Sequence, residues 1–282
     1  MNPPKIQLLS VPDCPLVAKV RQMAENCLVQ VHLNVAIEEI IGNYNSPTLL
    51  VDGFDVTGCP TAPEGQMSCR LDLPNEEQIL AALRGLTILR CENANEELVQ
   101  AAAFQNLLRT GRHFTIDDIA TLTKLDNTTV TGCFDKMRQA GHIRFDSHGL
   151  IEGAAGLSLS PTKHEISIDG RRFWTWCALD ILGIFGALKA SGFAKSCDPS
   201  SGENIELQFI DGVPQEMNFA VFLSDLSNGA SVCCDWCPNI NFFISRSSAE
   251  RWAQANAVKG SVIEVASLVP VAREVWSRLI VS

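Results

Sequence analysis

The chain of 282 residues contains eleven cysteines, an odd number that cannot all pair with one another. Their density is below that of small domains stapled by disulfides, so buried apolar side chains must hold the fold together. Hydrophobic residues make up 46% of the chain, which is ample for a core and excludes a disordered chain. At roughly 100–200 residues a domain, the length predicts about two domains.

The charge balance and the amino terminus restrict the class of partner. The chain has 22 Lys and Arg against 32 Asp and Glu, a net charge of −10, whereas nucleic-acid binding needs clustered basic residues. The first residues, Met1-Asn2-Pro3-Pro4, show no secretory signal, and no apolar run reaches the roughly 20 residues of a membrane span. We therefore expect a cytoplasmic protein with reduced thiols and neither a nucleic-acid nor a membrane partner.

The first segment, residues 1–90, predicts alternating strands and helices. The expected elements are strands at 6–11, 29–36, 48–53 and around Cys69, and helices at 16–24, 38–44 and 74–84. This order resembles a thioredoxin-like domain. Cys14 matches the position of that family's reactive cysteine, and Pro47 matches its cis-proline.

The first segment departs from the thioredoxin pattern at one position. The family's Cys-x-x-Cys is replaced by Cys14-Pro15-Leu16-Val17, so the resolving thiol is missing. A cysteine at a helix N-terminus has a lowered pKa, so Cys14 can act as a single-thiol carrier or metal ligand, or be an idle cysteine of a structural domain. Cys59 and Cys69 lie in a Pro- and Gly-rich stretch and could supply a distant partner thiol.

The second segment, residues 94–165, has the pattern of a winged helix-turn-helix domain. Helices are expected at 96–108, 115–122 and 128–140, followed by a hairpin of 142–145 with 149–153. Between Arg109 and Ile151, six Lys and Arg oppose five Asp, which leaves a net charge of only +1. This near-neutral surface favours a structural or substrate-covering role over DNA binding.

The third segment, residues 166–282, combines five cysteines with no histidine, since the last histidine of the chain is His164. Thiols without imidazole favour a soft metal over acyl-transfer chemistry. Cys177 and Asp180 stand three residues apart on a predicted helix with apolar flanks, where burial raises the pKa of a carboxyl group. The pattern fits a thiol nucleophile beside a proton carrier, and it also fits a core cysteine beside an ordinary helix acid.

Residues 97–280 resemble the organomercurial lyase (alkylmercury lyase) family. The resemblance rests on Trp176-Cys177-Ala178-Leu179-Asp180, on a later cysteine followed by a Phe-Phe strand, and on the preceding winged-helix unit. In that family two cysteines and one aspartate cleave the carbon–mercury bond. The resemblance therefore implies that Cys177 and Asp180 are catalytic and contact the mercury of the substrate.

The second catalytic cysteine is chosen by its spacing from the Phe-Phe strand. The family has four residues between that cysteine and Phe-Phe, and Cys237 fits this spacing before Phe242-Phe243 without a gap. Cys233 and Cys234 are expected to be accessory thiols together with Cys14, and Cys197 matches a family cysteine usually regarded as structural. Asn239 and Asn241 differ from histidines found in some members, which leaves the local polarity open.

The sequence predicts an α+β fold with a thioredoxin-like α/β domain, a winged-helix domain and a lyase-type mixed α/β domain that has a small, largely antiparallel sheet. The implied reaction converts R–Hg⁺, such as methylmercury, into R–H and Hg(II). It needs no cofactor, because mercury is substrate and product, but it needs low-molecular-weight thiols, and a mercuric reductase is an expected recipient of Hg(II). Cys14, or Cys59 with Cys69, is expected to relay mercury.

Two other functions fit parts of the sequence. A metal-responsive transcriptional regulator would use the winged helix and the cysteine cluster, although the charge balance disfavours it. A thiol–disulfide reductase centred on the first segment is disfavoured by Val17.

Overall fold

The computed structural model describes residues 3–58, 67–226 and 230–280 of the chain. The chain forms two compact units, residues 1–90 and residues 91–282. Among the described residues, no helix combines the length and the apolar character that a membrane crossing requires.

The first unit is built on a four-stranded sheet with strand order β2-β1-β4-β5. Its elements in chain order are β1 (Ile6–Ser10), α1 (Val17–Gln30), β2 (Ile37–Ile41), β3 (Asn45–Ser46), β4 (Thr48–Val51), β5 (Phe54–Asp55), β6 (Ser68–Cys69), α2 (Glu76–Leu83) and a 3₁₀ turn (Leu86–Leu89). Strand β1 is parallel to β2 and antiparallel to β4, while β3 and β6 form a separate parallel pair. The Ser46–Pro47 peptide bond is cis, as expected for Pro47.

Two predictions for the first unit are wrong. The strand expected at 29–36 is absent, because α1 continues to Gln30 and the chain then turns at His32, whose φ is +55°. The buried residues Val20, Ala24, Cys27 and Leu28 follow the helical period, which outweighs the alternation that suggested a strand. The helix expected at 38–44 is instead strand β2, because pairing with β1 overrides the helix propensity of Glu38 and Glu39.

The second unit begins with three helices and continues into two sheets. Its elements in chain order are α3 (Ala94–Thr110), α4 (Ile116–Thr123), α5 (Asn127–Ala140), β7 (Ile143–Phe145), β8 (Ile151–Ala154), β9 (Leu157–Ser158), β10 (His164–Ile168), β11 (Arg171–Thr175), α6 (Ala178–Leu188), β12 (Gly192–Cys197), β13 (Asn204–Ile210), β14 (Val213–Pro214), β15 (Ala220–Ser224), β16 (Asn241–Phe243), α7 (Arg246–Ala255), β17 (Gly260–Glu264) and α8 (Val265–Ser277). The three helices have polar N-caps at Asn93, Thr115 and Asp126.

One antiparallel sheet crosses most of the second unit. It has eight strands in the order β14-β13-β12-β10-β11-β9-β8-β7, while β16-β15-β17 form a smaller antiparallel sheet. The hairpin β7–β8, predicted as the wing, is the edge of the larger sheet. The predicted boundary between residues 165 and 166 falls inside β10, and the segments on both sides of it share this unit.

Helix α6 lies in the core of the second unit. Residues 178–186 are all buried, as expected for a helix that is apolar on every face. It packs closely against α8: a Cβ atom added at Gly183 would lie 2.2 Å from the indole ring of Trp276. The N-terminus of α6 is therefore fixed inside the protein, and that end carries the predicted catalytic motif.

Candidate active site

Cys177 and Asp180 meet at the N-terminus of α6. Cys177 is the N-cap residue, and its backbone N–H donates to Oδ2 of Asp180 at 2.7 Å. The backbone N–H of Asp180 points in return at the Cys177 side chain, which completes a capping box with sulfur in the place of the usual hydroxyl. The predicted convergence of thiol and carboxyl is present, but it arises from a cap and not from one face of a helix.

Cys237 reaches the same place from a distant part of the chain. It follows a π-helical turn (Val232–Trp236) and begins a short 3₁₀ turn (Cys237–Asn239). The carbonyl of Ile240 accepts a hydrogen bond from the N–H of Ala178 at 3.1 Å, which ties this turn to the start of α6.

Asn239 and Asn241 brace the turn that carries Cys237. Their side-chain amides donate to the carbonyls of Asp235 and Pro238, at 2.9 and 3.2 Å. These two asparagines, which stand where some family members have histidines, therefore support the backbone of the turn.

The two thiols and the carboxylate form one cluster. The Sγ atoms of Cys177 and Cys237 and a carboxylate oxygen of Asp180 all lie within 4.8 Å of one another. Both cysteines are fully buried and Asp180 is 2% exposed. Among the described residues this is the only group of three or more potential metal ligands so placed. Two sulfur ligands and one oxygen suit a soft, thiophilic metal.

Burial favours the protonated form of all three groups. Removal from water raises the pKa of Asp180 to about 7, although hydrogen bonds from Cys177 oppose the shift. Burial also raises the pKa of Cys177, and it raises that of Cys237 well above its ordinary value, to which neighbouring Cys177 and Asp180 add. The site therefore holds two protonated thiols beside a carboxyl group that gains and loses a proton near neutral pH.

Gly156 gives the Asp180 carboxyl its space. It is the second residue of the two-residue turn between β8 and β9, in which Ala155 and Gly156 have φ values of +48° and +91°. A Cβ atom at Gly156 would lie 2.3 Å from Oδ1 of Asp180. The role of Gly156 is not predictable from the sequence, since nothing in the local pattern links residue 156 to residue 180.

The accessory thiols lie at different depths. Cys233 is 8% exposed, and its Sγ lies 3.2 Å from that of exposed Cys234. Half-buried Cys197 ends β12. In the first unit, Cys14 lies in the turn before α1 and is half-buried, exposed Cys69 is on β6, and the predicted partner Cys59 lies outside the described residues.

The expectation of an imidazole-free catalytic segment needs correction, because His164 is a core residue of its sheet. His164 on β10 is fully buried, and its Nδ1 lies 2.9 Å from Oγ of Ser196 on β12. Burial lowers the pKa of His164 to about 3, so the ring is neutral. The predicted boundary between residues 165 and 166 had placed His164 in the preceding domain.

Comparison with known proteins identifies the same part of the chain. The family model described as MerB, alkylmercury lyase, matches residues 157–277. An alkylmercury lyase from Bacillus cereus is 29% identical over 178 residues, which cover 61% of this chain and 78% of the relative. One from Pseudomonas putida is 37% identical over 125 residues, or 43% of this chain and 58% of the relative.

A solved structure has a similar fold. The crystal structure of the mercury-bound form of MerB2 aligns with a TM-score of 0.62 and 22% identity, covering 68% of this chain and 96% of that one. The buried thiol and carboxyl cluster, set in an antiparallel mixed α/β fold, defines a site for a thiophilic metal. Residues 157–277, which contain the whole cluster, match the alkylmercury lyase family model.

Proposed function

We propose that the chain is an organomercurial lyase that cleaves the carbon–mercury bond of R–Hg⁺ compounds by protonolysis. The observation that carries the proposal is the meeting of Cys177, Cys237 and Asp180 within 4.8 Å, inside the segment that matches the alkylmercury lyase family. The relatives that support it are named for the same activity.

The reaction needs two ligands for mercury and one proton for carbon. One cysteine thiol replaces the thiol that carries the substrate, and its proton leaves on that carrier. The second thiol then binds mercury and passes its proton to Asp180. The sum is R–Hg–SR′ + 2 Cys–SH → R–H + Cys–S–Hg–S–Cys + R′SH.

Asp180 acts as the general acid. Two thiolates on mercury push electron density toward the carbon–mercury bond, so the leaving carbon gains carbanion character and must be protonated. A carboxyl group with a pKa of about 7 accepts a proton from a thiol and releases it again at neutral pH. Cys177 is held against this carboxyl by the capping box, which fixes the distance over which the proton moves.

Several further assignments belong to this proposal. No resident cofactor takes part, because mercury is both substrate and product. Low-molecular-weight thiols deliver the substrate and remove Hg(II), a mercuric reductase is a fitting recipient, and the reducing cytoplasm keeps the thiols free. Cys14 is proposed as an accessory mercury carrier. The comparisons give no support to the metal-responsive regulator.

The finer domain assignments are also part of the proposal. A thioredoxin-like first unit is supported by β1 lying between parallel β2 and antiparallel β4, and by cis Pro47. A winged-helix arrangement is supported by three capped helices followed by the β7–β8 hairpin. In this arrangement the hairpin forms the edge of the sheet whose β8–β9 turn carries Gly156.

The test is direct. The reduced full-length protein is incubated with methylmercury and excess thiol, and methane and Hg(II) are measured. We expect both products in equal amounts, whereas wild-type protein that forms no methane would contradict the proposed function. Loss of methane in Cys237→Ser, with single-turnover methane retained in Cys233→Ser, would support Cys237 as the second thiol.

A further inference from the structure

The catalytic thiols are sealed from solvent, whereas a second pair of thiols leads toward them. Cys177 and Cys237 have no exposed surface. Cys234 is exposed and Cys233 is 8% exposed, so the side chains of 234, 233 and 237 become progressively more buried. Cys234 is therefore accessible to a mercury compound carried by a solution thiol, whereas neither catalytic thiol is.

The geometry of the 232–237 turn suits transfer from one sulfur to the next. The Sγ atoms of Cys233 and Cys234 are 3.2 Å apart, and Cys233 lies four residues before Cys237 across one turn of π-helix. Thiol exchange proceeds by attack of one sulfur while another leaves, so the sulfurs must lie close together.

The turn is held by bonds at several points. The N–H of Cys233 donates to the carbonyl of Gly141 at 3.1 Å, and the Trp236 indole N–H donates to the carbonyl of Ser224 at 2.8 Å. The N–H of Ser231 donates to Oδ2 of Asp235 at 2.8 Å. The two thiols are thus presented by a braced backbone.

The electrostatic surroundings couple the pair to the catalytic site. Burial raises the pKa of Cys233 to about 11, while the positive charge of Arg144 acts in the opposite direction and favours the thiolate. A negative charge on Cys233 also raises the pKa of Cys237.

We infer that Cys233 and Cys234 form a mercury-transfer pair that takes R–Hg⁺ from an external thiol and passes it to Cys237. This inference rests on the proposed lyase function. Cys234 first replaces the carrier: R–Hg–SR′ + Cys234–SH → Cys234–S–Hg–R + R′SH. Cys233 and then Cys237 take the group by the same exchange. At each step the incoming thiol gives its proton to the departing sulfur, so no oxidant or reductant is consumed.

Kinetics with methylmercury complexed to glutathione tests the transfer pair in the full-length protein. We expect kcat/KM to fall about tenfold in Cys233→Ser/Cys234→Ser, because the carrier must then reach a buried thiol directly. The methane formed in a single turnover, after long equilibration with one equivalent of methylmercury, should equal that of wild type. Cys197→Ser, which removes a half-buried thiol of the same unit outside the 232–237 turn, is the matched control.

The location of mercury gives a second readout. Cys237→Ser blocks onward transfer, so peptide mapping after alkylation of free thiols should find methylmercury on the peptide that carries residues 233 and 234. The inference would be overturned if kcat/KM were unchanged in the double variant, or if its single-turnover methane fell as much as its kcat/KM. It would also be overturned if mercury were found only on other peptides. Mercury on this peptide in Cys237→Ser, together with a wild-type protein that forms no methane, would instead refute the lyase function and leave the binding pair standing.

Discussion

The two units each place a cysteine before a helix, and they surround it differently. In the first unit, Cys14 precedes α1. The N-cap residue of this helix, Leu16, makes no side-chain cap hydrogen bond, and the first turn contains no acidic residue. In the second unit, Cys177 is itself the N-cap of α6 and shares a capping box with Asp180. Cys14 is half-buried, whereas Cys177 is fully buried against a second thiol.

The difference shows that a cysteine near a helix start does not by itself make a reaction site. Cys177 becomes part of a cluster because Asp180 and Cys237 lie beside it, and Gly156 leaves room for the Asp180 carboxyl. Cys14 has no second cysteine three residues further on, where Val17 stands. The predictions below test whether carbon–mercury cleavage depends on the residues that meet around Cys177.

The largest effect is expected from removing a catalytic thiol. Cys177→Ser and Cys237→Ser should each lower methane formation by roughly 10³-fold or more, because mercury then lacks one of its two thiolates and the members act as a unit. Single-turnover methane and the binding of Hg(II), read by its thiolate absorption, provide the measurements. If Cys14→Ser reduced single-turnover methane as strongly, the contrast between the two cysteines would be wrong.

The pH dependence of the free energy of unfolding should show where Asp180 loses its proton in the folded protein. Its folded pKa of about 7 lies above the ordinary 3.8, so its stabilising contribution is complete below about pH 4 and is lost as pH rises through 7. Relative to Asp180→Asn, whose side chain does not titrate, the wild type should lose up to ~4 kcal/mol of unfolding free energy between pH 4 and 8.

Urea unfolding followed by tryptophan fluorescence measures this difference in the second unit of the protein, because all five tryptophans lie between residues 174 and 276. Cys14→Ser is the control from the other unit. Parallel pH curves for the wild type and Asp180→Asn would mean that Asp180 is ionised throughout.

A methyl group beside Asp180 should disturb the site more than the fold. Gly156→Ala places Cβ 2.3 Å from the carboxyl oxygen, so Asp180 must move, and a displacement of this kind costs on the order of 10²-fold in rate. Gly170→Ala is the matched control: Gly170 also follows a positive-φ residue in a two-residue hairpin turn, with a φ of +73° and nothing within 4 Å of the added Cβ.

Both glycine variants pay the backbone cost of a left-handed alanine, about 1–2 kcal/mol. Only Gly156→Ala should lose methane formation when the rates are compared below the melting transition. Equal rates for the two variants would show that Asp180 tolerates displacement.

The smallest effect is expected at Cys14. As an accessory carrier it should affect delivery and release alone, so Cys14→Ser should leave single-turnover methane unchanged and slow the appearance of Hg(II) on an external thiol. Stopped-flow absorbance of the Hg(II)–thiol product measures that step. An unchanged release rate would remove Cys14 from the mercury route and leave the first unit with a structural role.

The sequence determined the elements whose signals are local. Helices α4 and α5, the apolar α6 and the Phe-Phe strand all lie where the pattern predicted them. It also pointed to the residues of the site, because Cys177, Asp180 and the spacing of Cys237 from Phe-Phe resemble the motifs of the alkylmercury lyase family. Strand β2 was misread as a helix because its pairing partner, β1, is remote in sequence.

Only the tertiary structure decided how these residues act. It made Cys177 a cap, drew Gly156 against Asp180 and placed His164 in the core of the catalytic sheet. It also buried the carboxyl deeply enough to move its pKa to about 7. These outcomes depend on tertiary contacts and on the exclusion of water. The spacing of residues along the chain predicts neither of them.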